Sequence, residues 1–246
     1  MLGTYIRLEA LRFLREPVSL FFSLIFPIVL IYVFGGSFGD ATNESGVTYY
    51  NSLVSIDVAF LISNFTLMGI GNDLANQKDV GLTDNMSLWP IKRWERTFVQ
   101  SAAYLMILLV STGIITAYVY TAYEGIVFQG NAVLFLGFMV LAYFLFVSIT
   151  KVIVSFDFSA RTLQLIASSI FFMLLFTSGI VIPKQALPTF LQGFVDFSPL
   201  YRTYTSLDGI WNGQLGATEI LTKMAYFVAL TVAFSLLSRR KEVFNR

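Results

Sequence analysis

The run YNSLVSIDVAFLISNFTLMGIG, residues 50–71, carries one charged side chain, Asp57, in 22 residues. About 20 such residues wound as an α-helix cross the hydrocarbon layer of a bilayer. Lipid also dictates the helix, because a crossing segment has to satisfy its own backbone N–H and C=O groups. Soon after it comes KDVGLTDNMSLWPIKRWER, residues 78–96, with Lys78, Asp79, Asp84, Lys92, Arg93, Glu95 and Arg96. A second apolar run follows. That alternation is the pattern of a chain passing back and forth through a membrane.

Working outward, the same pattern fills the chain. Of 246 residues, 56% are hydrophobic and 13% charged, where a soluble domain is about a quarter charged. Six spans are expected, at 18–34, 50–71, 98–120, 132–150, 162–182 and 220–237. Pro27 should kink the first by removing a backbone hydrogen bond near mid-membrane. The fold class is therefore an all-α polytopic membrane protein, and 1–246 reads as a single transmembrane domain.

Basic residues orient it, since cytoplasmic loops collect Lys and Arg. With both termini inside, 13 of the 16 Lys and Arg fall on the cytoplasmic side. The outer side keeps Lys184, Arg202 and Lys223. The charged region 72–97 is then cytoplasmic.

Two further segments have a distinct character. In residues 1–17, Ile6, Ala10, Phe13 and Leu14 share one helical face, and Glu9, Arg12, Arg15 and Glu16 the opposite one. This predicts a helix lying in the headgroup plane, broken from the first span by Pro17. Its charges are too many for the apolar core of a cleavable signal peptide. The outer segment 183–217 is long for a connector yet rich in Leu, Phe, Tyr and Trp. It reads as short amphipathic helices dipping back into the outer leaflet.

Much chemistry is excluded. There is no Cys and no His, so no disulfide, thiol nucleophile, Cys/His zinc site or His-based triad. A net charge of +1 makes no case for a nucleic-acid partner. No G-x-x-x-x-G-K-[ST] loop occurs, so ATP is not hydrolysed here by a P-loop. Within the spans the ionisable group that stands out is Asp57. Asn64 lies two helical turns on, with Phe60 between them on the same face. A carboxylate at such depth is a functional candidate by default. It also sits about 10 Å from the outer end of its span, so lining a pathway and merely meeting outer water both stay open.

For region 72–97, Asp73 and Asn76 are candidate N-caps of a short helix ending before Pro90. Such a helix, tied at both ends to spans, would transmit a push. The alternative is an ordinary loop on lipid headgroups, anchored by Trp89 and Trp94.

In this region Gly81 is followed by an acid three residues on (Asp84), by Pro90 nine residues on, and then by basic Arg93. Leu82 stands between Gly81 and Thr83. On the outer side, Pro183, Leu187, Pro188, Leu191, Pro199 and Leu200 form a P…LP..L…PL run before the last span, and the chain ends near Arg239–Arg240–Lys241–Glu242. With these motifs and six spans, the chain resembles the permease subunit of an ABC transporter of the ABC-2 (type V exporter) family.

The resemblance implies that Lys78, Asp79, Val80, Gly81, Leu82, Asp84, Met86, Pro90 and Arg93 belong to a coupling helix docking on a separate ABC ATPase subunit. ATP and Mg would bind that partner, with no cofactor on this chain. Two ATPases and a second permease copy or paralogue would complete the unit, spans 1 and 5 lying near the seam. Pro183, Leu187, Pro188 and Pro199 would belong to re-entrant outer helices. The setting implied is a bacterial plasma (inner) membrane.

The function expected is export of an amphipathic cargo: a drug, antimicrobial peptide or lipid-like molecule. Asp57, Phe60, Asn64, Phe172 and Phe176 are its candidate pathway residues, within spans that also carry Phe65 and Phe171. The alternatives are a polysaccharide or teichoic-acid-type exporter, a gradient-driven carrier using Asp57, and a non-transporting sensor or immunity factor.

Overall fold

The computed structural model describes residues 17–38, 48–79, 93–181 and 188–244, with residues 7, 8, 11 and 15. Among the described residues there is no β-strand. Helix α1 (17–38) joins Pro17–Leu20, a π-helical turn Phe21–Ile25 and Phe26–Phe38. Helix α2 (49–79) joins Tyr49–Ser63, a π-helical stretch Asn64–Ile70 and Gly71–Asp79. Then come α3 (Arg93–Ala122), α4 (Ala132–Val154), α5 (Ala160–Thr177), α6 (Thr189–Val195), α7 (Pro199–Trp211) and α8 (Ala217–Phe244).

Among the described residues five segments are long and apolar enough to cross a membrane: Tyr49–Gln77, Phe98–Ala122, Ala132–Val154, Ala160–Thr177 and Ala217–Ser238. Helix α1 carries a shorter apolar run, Ser23–Ser37. The irregularity expected at Pro27 takes the form of a π-turn just upstream. Proline has no N–H for the Ser23 carbonyl, and the Phe26 N–H reaches back five residues to Phe21 O.

Local sequence sets the helix starts. The Asn131 side chain accepts from the N–H groups of Val133 and Leu134 at the head of α4. Ser159 does the same for Thr162 in α5. Ser198 caps α7 through the Tyr201 N–H, with Pro199 in the first turn. Proline is suited there because the first N–H groups of a helix have no partner within it.

Helix α2 is the centre of the bundle. Of its most apolar 18-residue window 89% is buried, against 6% for α8, which rests on α4 along its length. The division follows polarity. Asn51, Ser52, Ser55, Asp57, Ser63, Asn64 and Thr66 on α2 are all buried. The exposed side of α8 shows Leu221, Val228, Val232, Leu236 and Leu237. In a bilayer the polar groups belong inside the bundle.

Helix α2 departs from expectation at its C-terminal end. It does not stop near residue 71 with Asp73 and Asn76 capping a new helix; it continues unbroken to Asp79. Both side chains have partners across the bundle. Asp73 Oδ2 accepts from the Tyr104 hydroxyl at 2.9 Å and from Gln100 Nε2 at 3.2 Å, both on α3. Asn76 Oδ1 accepts from Gln164 Nε2 of α5 at 2.9 Å. Ala75 packs into a small cluster with Ala160 and Leu163 of α5. At the other end of α5 the helix closes at Thr177, short of 182, and Gly179 turns the chain with φ +72°.

The proposed interfacial helix 1–17 lies outside the described residues apart from the four named and Pro17. Of it, the Arg15 N–H bonds the Leu11 carbonyl, one helical turn.

Candidate functional site

Halfway along the regular first part of α2, about 12 Å from Tyr49 at 1.5 Å per residue, Asp57 points into a narrow crevice. The crevice is walled by Leu30 and Ile31 of α1, Leu53, Ile56 and Phe60 of α2, and Ile180. Asp57 is 1% exposed, so in this arrangement it does not meet outer water. Its Oδ2 has no hydrogen-bond partner among the described residues. Leaving a polar group buried and unbonded costs about 1–3 kcal/mol, and more when it is charged.

The one ring in the crevice wall, Phe60, belongs to a chain of aromatic contacts. The Phe60 ring meets Phe26 of α1 at 5.6 Å between centroids and Phe171 of α5 edge-on at 5.7 Å. Phe171 in turn meets Phe172 at 5.3 Å. Phe60, one turn from Asp57, thus joins α2 to α1 and α5 through ring contacts. Phe171 is 2% exposed, whereas Phe172 and Phe176, expected on the pathway, are 47% and 49% exposed on the outward side of α5. Asn64 is buried on α2 and its amide faces Met68 Sδ at 3.8 Å. There the backbone becomes π-helical, a form often found at functional sites.

A second polar constellation closes the N-terminal end of α2. Asn51 Nδ2 donates to Asn212 Oδ1, and Asn51 Oδ1 accepts from the Val127 N–H at 2.9 Å. Asn212 Nδ2 donates to Asp208 Oδ1 at 3.1 Å and to the Asp208 carbonyl at 2.9 Å. Ser52 hydrogen-bonds to Asp208 and to Tyr204. Burial lifts the Asp208 carboxyl to about 6, against the hydrogen bonds from Ser52 and Asn212 that pull it down. Burial and then the Asp208 charge raise the Tyr204 phenol.

The loop between α3 and α4 completes this lock. Gln129 N–H donates to the Trp211 carbonyl at 3.1 Å. A Cβ on Gly130 would lie 1.7 Å from the Ile210 carbonyl oxygen, so only glycine permits the approach. Trp211 fills the space between Phe128 and Phe135, at 4.7 and 5.4 Å. Helix α7 is thereby fixed to α2 and α4. The sequence flagged segment 183–217 as structured, but the pairing of Asn51 with Asn212 had no signal except that both stand at helix ends.

The outer motif is divided. Pro188 stands at the head of α6 and Pro199 in the first turn of α7; Pro183 and Leu187 lie outside the described residues. So do Val80, Gly81, Leu82, Asp84, Met86 and Pro90 of the coupling region. Lys78 and Asp79 continue the helical backbone of α2, and Arg93 begins α3.

The profile of the ABC-2 type transporter family matches residues 2–211, a range that reaches the last residue of α7. Among curated proteins the chain is similar to the daunorubicin resistance ABC transporter permease protein DrrB1 of Streptomyces coeruleorubidus. The two are 25% identical over 256 residues, covering 96% of this chain and 84% of that protein.

Proposed function

This chain belongs to the ABC-2 type transporter family, and on that premise we propose that it is the permease subunit of an ATP-driven exporter carrying amphipathic cargo. The family brings an integral membrane protein working with an ABC ATPase. The cargo would leave from the cytoplasm or inner leaflet. The single observation carrying the reading is the profile match over residues 2–211, which takes in the crevice and all of the outer lock except Asn212. The similarity to a drug-resistance permease supports a drug-like cargo.

In this reading α1 is the first of six spans and both termini are cytoplasmic, in a bacterial plasma membrane. Residues 78–93 dock on the ATPase. Two permeases and two ATPases form the working unit. ATP-driven closure of the ATPases moves the cytoplasmic end of α2. That end is bonded to α3 through Asp73–Tyr104 and to α5 through Asn76–Gln164, which supports the helices shifting as a group. The path opens along α1, α2 and α5, where Asp57, Phe60 and Asn64 lie, with Phe172 and Phe176 on the face of α5 turned outward. Helices α6 and α7 act as the re-entrant outer cover.

The test is uptake into inside-out vesicles holding the permease with its ATPase. A neutral fluorescent amphipath should accumulate with ATP, should not with a non-hydrolysable analogue, and should continue when a protonophore collapses the proton gradient. Uptake that ignores ATP and stops with the protonophore would overturn the reading in favour of a gradient-driven carrier.

A further inference from the structure

The crevice at Asp57 combines three features that the exporter reading does not by itself require. Its one polar wall group is an acceptor oxygen without a partner among the described residues. The rest of its lining is aliphatic or aromatic: Leu30, Ile31, Leu53, Ile56, Phe60 and Ile180. Its one aromatic wall residue, Phe60, packs against Phe26 of α1 and Phe171 of α5.

A buried carboxylate is tolerated when a cation neutralises it. Among the described residues no basic side chain lines the crevice. An inorganic cation fits poorly, because calcium or magnesium takes six or more oxygen ligands. Among the described residues no three acidic groups gather to hold a metal ion. An organic ammonium differs on each count. It needs one counter-charge, brings an apolar body for aliphatic walls, and gains from phenyl faces within about 6 Å by cation–π attraction.

From this we infer that the crevice between α1, α2 and Ile180 is the recognition site for an amphipathic organic cation, with the Asp57 carboxylate as counter-ion and Phe60, backed by Phe171 of α5, as the aromatic wall. The inference rests on the exporter reading and specifies its cargo class. The crevice is narrow as it stands, so loading requires α1 and α5 to draw away from Phe60, parting its contacts with Phe26 and Phe171. The π-helical turns Phe21–Ile25 and Asn64–Ile70 lie on the two helices at that parting line.

The test uses the permease purified with its ATPase and reconstituted in lipid discs, with two probes of matched bulk. Methyltriphenylphosphonium carries a permanent charge; triphenylphosphine oxide is neutral. Equilibrium binding of both is measured to wild type, Asp57→Asn and Asp57→Glu. Wild type should favour the cation. Asp57→Asn, which keeps the shape of the side chain, should lower the ratio of cation to neutral affinity at least tenfold. Asp57→Glu should hold that ratio within about threefold. An unchanged ratio in Asp57→Asn would overturn the inference, as would equal weakening for both probes, which marks a packing role. ATP-driven uptake of triphenylphosphine oxide by wild-type vesicles separates the two levels. If it proceeds while the ratio ignores Asp57, the cation site fails and the exporter stands. If ATP drives no uptake of either probe, the exporter reading itself fails.

Discussion

Asn51 and Asn212, 161 positions apart, are joined by a direct amide-to-amide hydrogen bond that fastens the end of α7 to the head of α2. Asn51 also holds the Val127 N–H, and Asn212 holds Asp208. One bond therefore links three parts of the fold at this end of α2. Each buried amide left without its partner costs about 1–3 kcal/mol. Asn51→Leu and Asn212→Leu should each lower the thermal midpoint of the purified protein. The double variant should lose less than the sum, because the partners share one bond. Strict additivity in that cycle would show the two side chains acting independently.

The Asp208 carboxyl gives the lock a pH dependence with a definite sign. Its pKa rises from 3.8 to about 6 on folding, chiefly by burial. The folded state thus holds the proton more tightly than the unfolded one. The contribution to stability is full below about pH 4 and is lost as pH rises through about 6. Its size is on the order of 3 kcal/mol, from about 1.4 kcal/mol per pKa unit. Asp208→Asn should unfold at a higher temperature than wild type at pH 7.5 and at nearly the same temperature at pH 4. A wild-type advantage at pH 7.5 would contradict the assignment.

Close backbone approach gives a paired test. Gly130→Ala would place a methyl 1.7 Å from the Ile210 carbonyl oxygen, so the loop has to leave α7. A loss of roughly 1–3 kcal/mol is expected, as for other overpacked sites. Gly137 lies in α4 with nothing within 4 Å of its would-be Cβ. Gly137→Ala should be neutral or stabilising by up to about 1 kcal/mol. Thermal unfolding of the two variants side by side decides it.

Much of this architecture is legible from polarity alone. The apolar runs at 98–120 and 132–150 lie within α3 and α4 because lipid leaves a crossing segment few choices. What sequence reading missed lies at helix ends. Asp73 and Asn76 look like caps of a new helix, yet Tyr104 and Gln164 occupy their side chains and α2 runs on. Among the rings, Phe171, Phe172 and Phe176 are equal candidates by composition. The choice of Phe171 as the one beside Phe60 depends on how α5 is rotated against α2, which periodicity of an almost wholly apolar helix does not specify.

The Tyr104 hydroxyl ties the C-terminal end of α2 to α3 through Asp73. Tyr104→Phe removes that bond and keeps the ring that faces Phe65 at 6.3 Å. If this end transmits the ATPase stroke, cargo-stimulated ATP turnover should fall several-fold, with a stability loss of about 1 kcal/mol. Full stimulation in the variant would place the transmission elsewhere.

Co-purification from native membranes in mild detergent, followed by mass spectrometry of what travels with the chain, tests the central claim most directly. An exporter permease brings a stoichiometric P-loop ATPase, and loses it when residues 78–90 are scrambled in a protein that still folds. A chain that elutes alone in several detergents, with no ATPase crosslinked to residues 78–90, would contradict ATP-driven export.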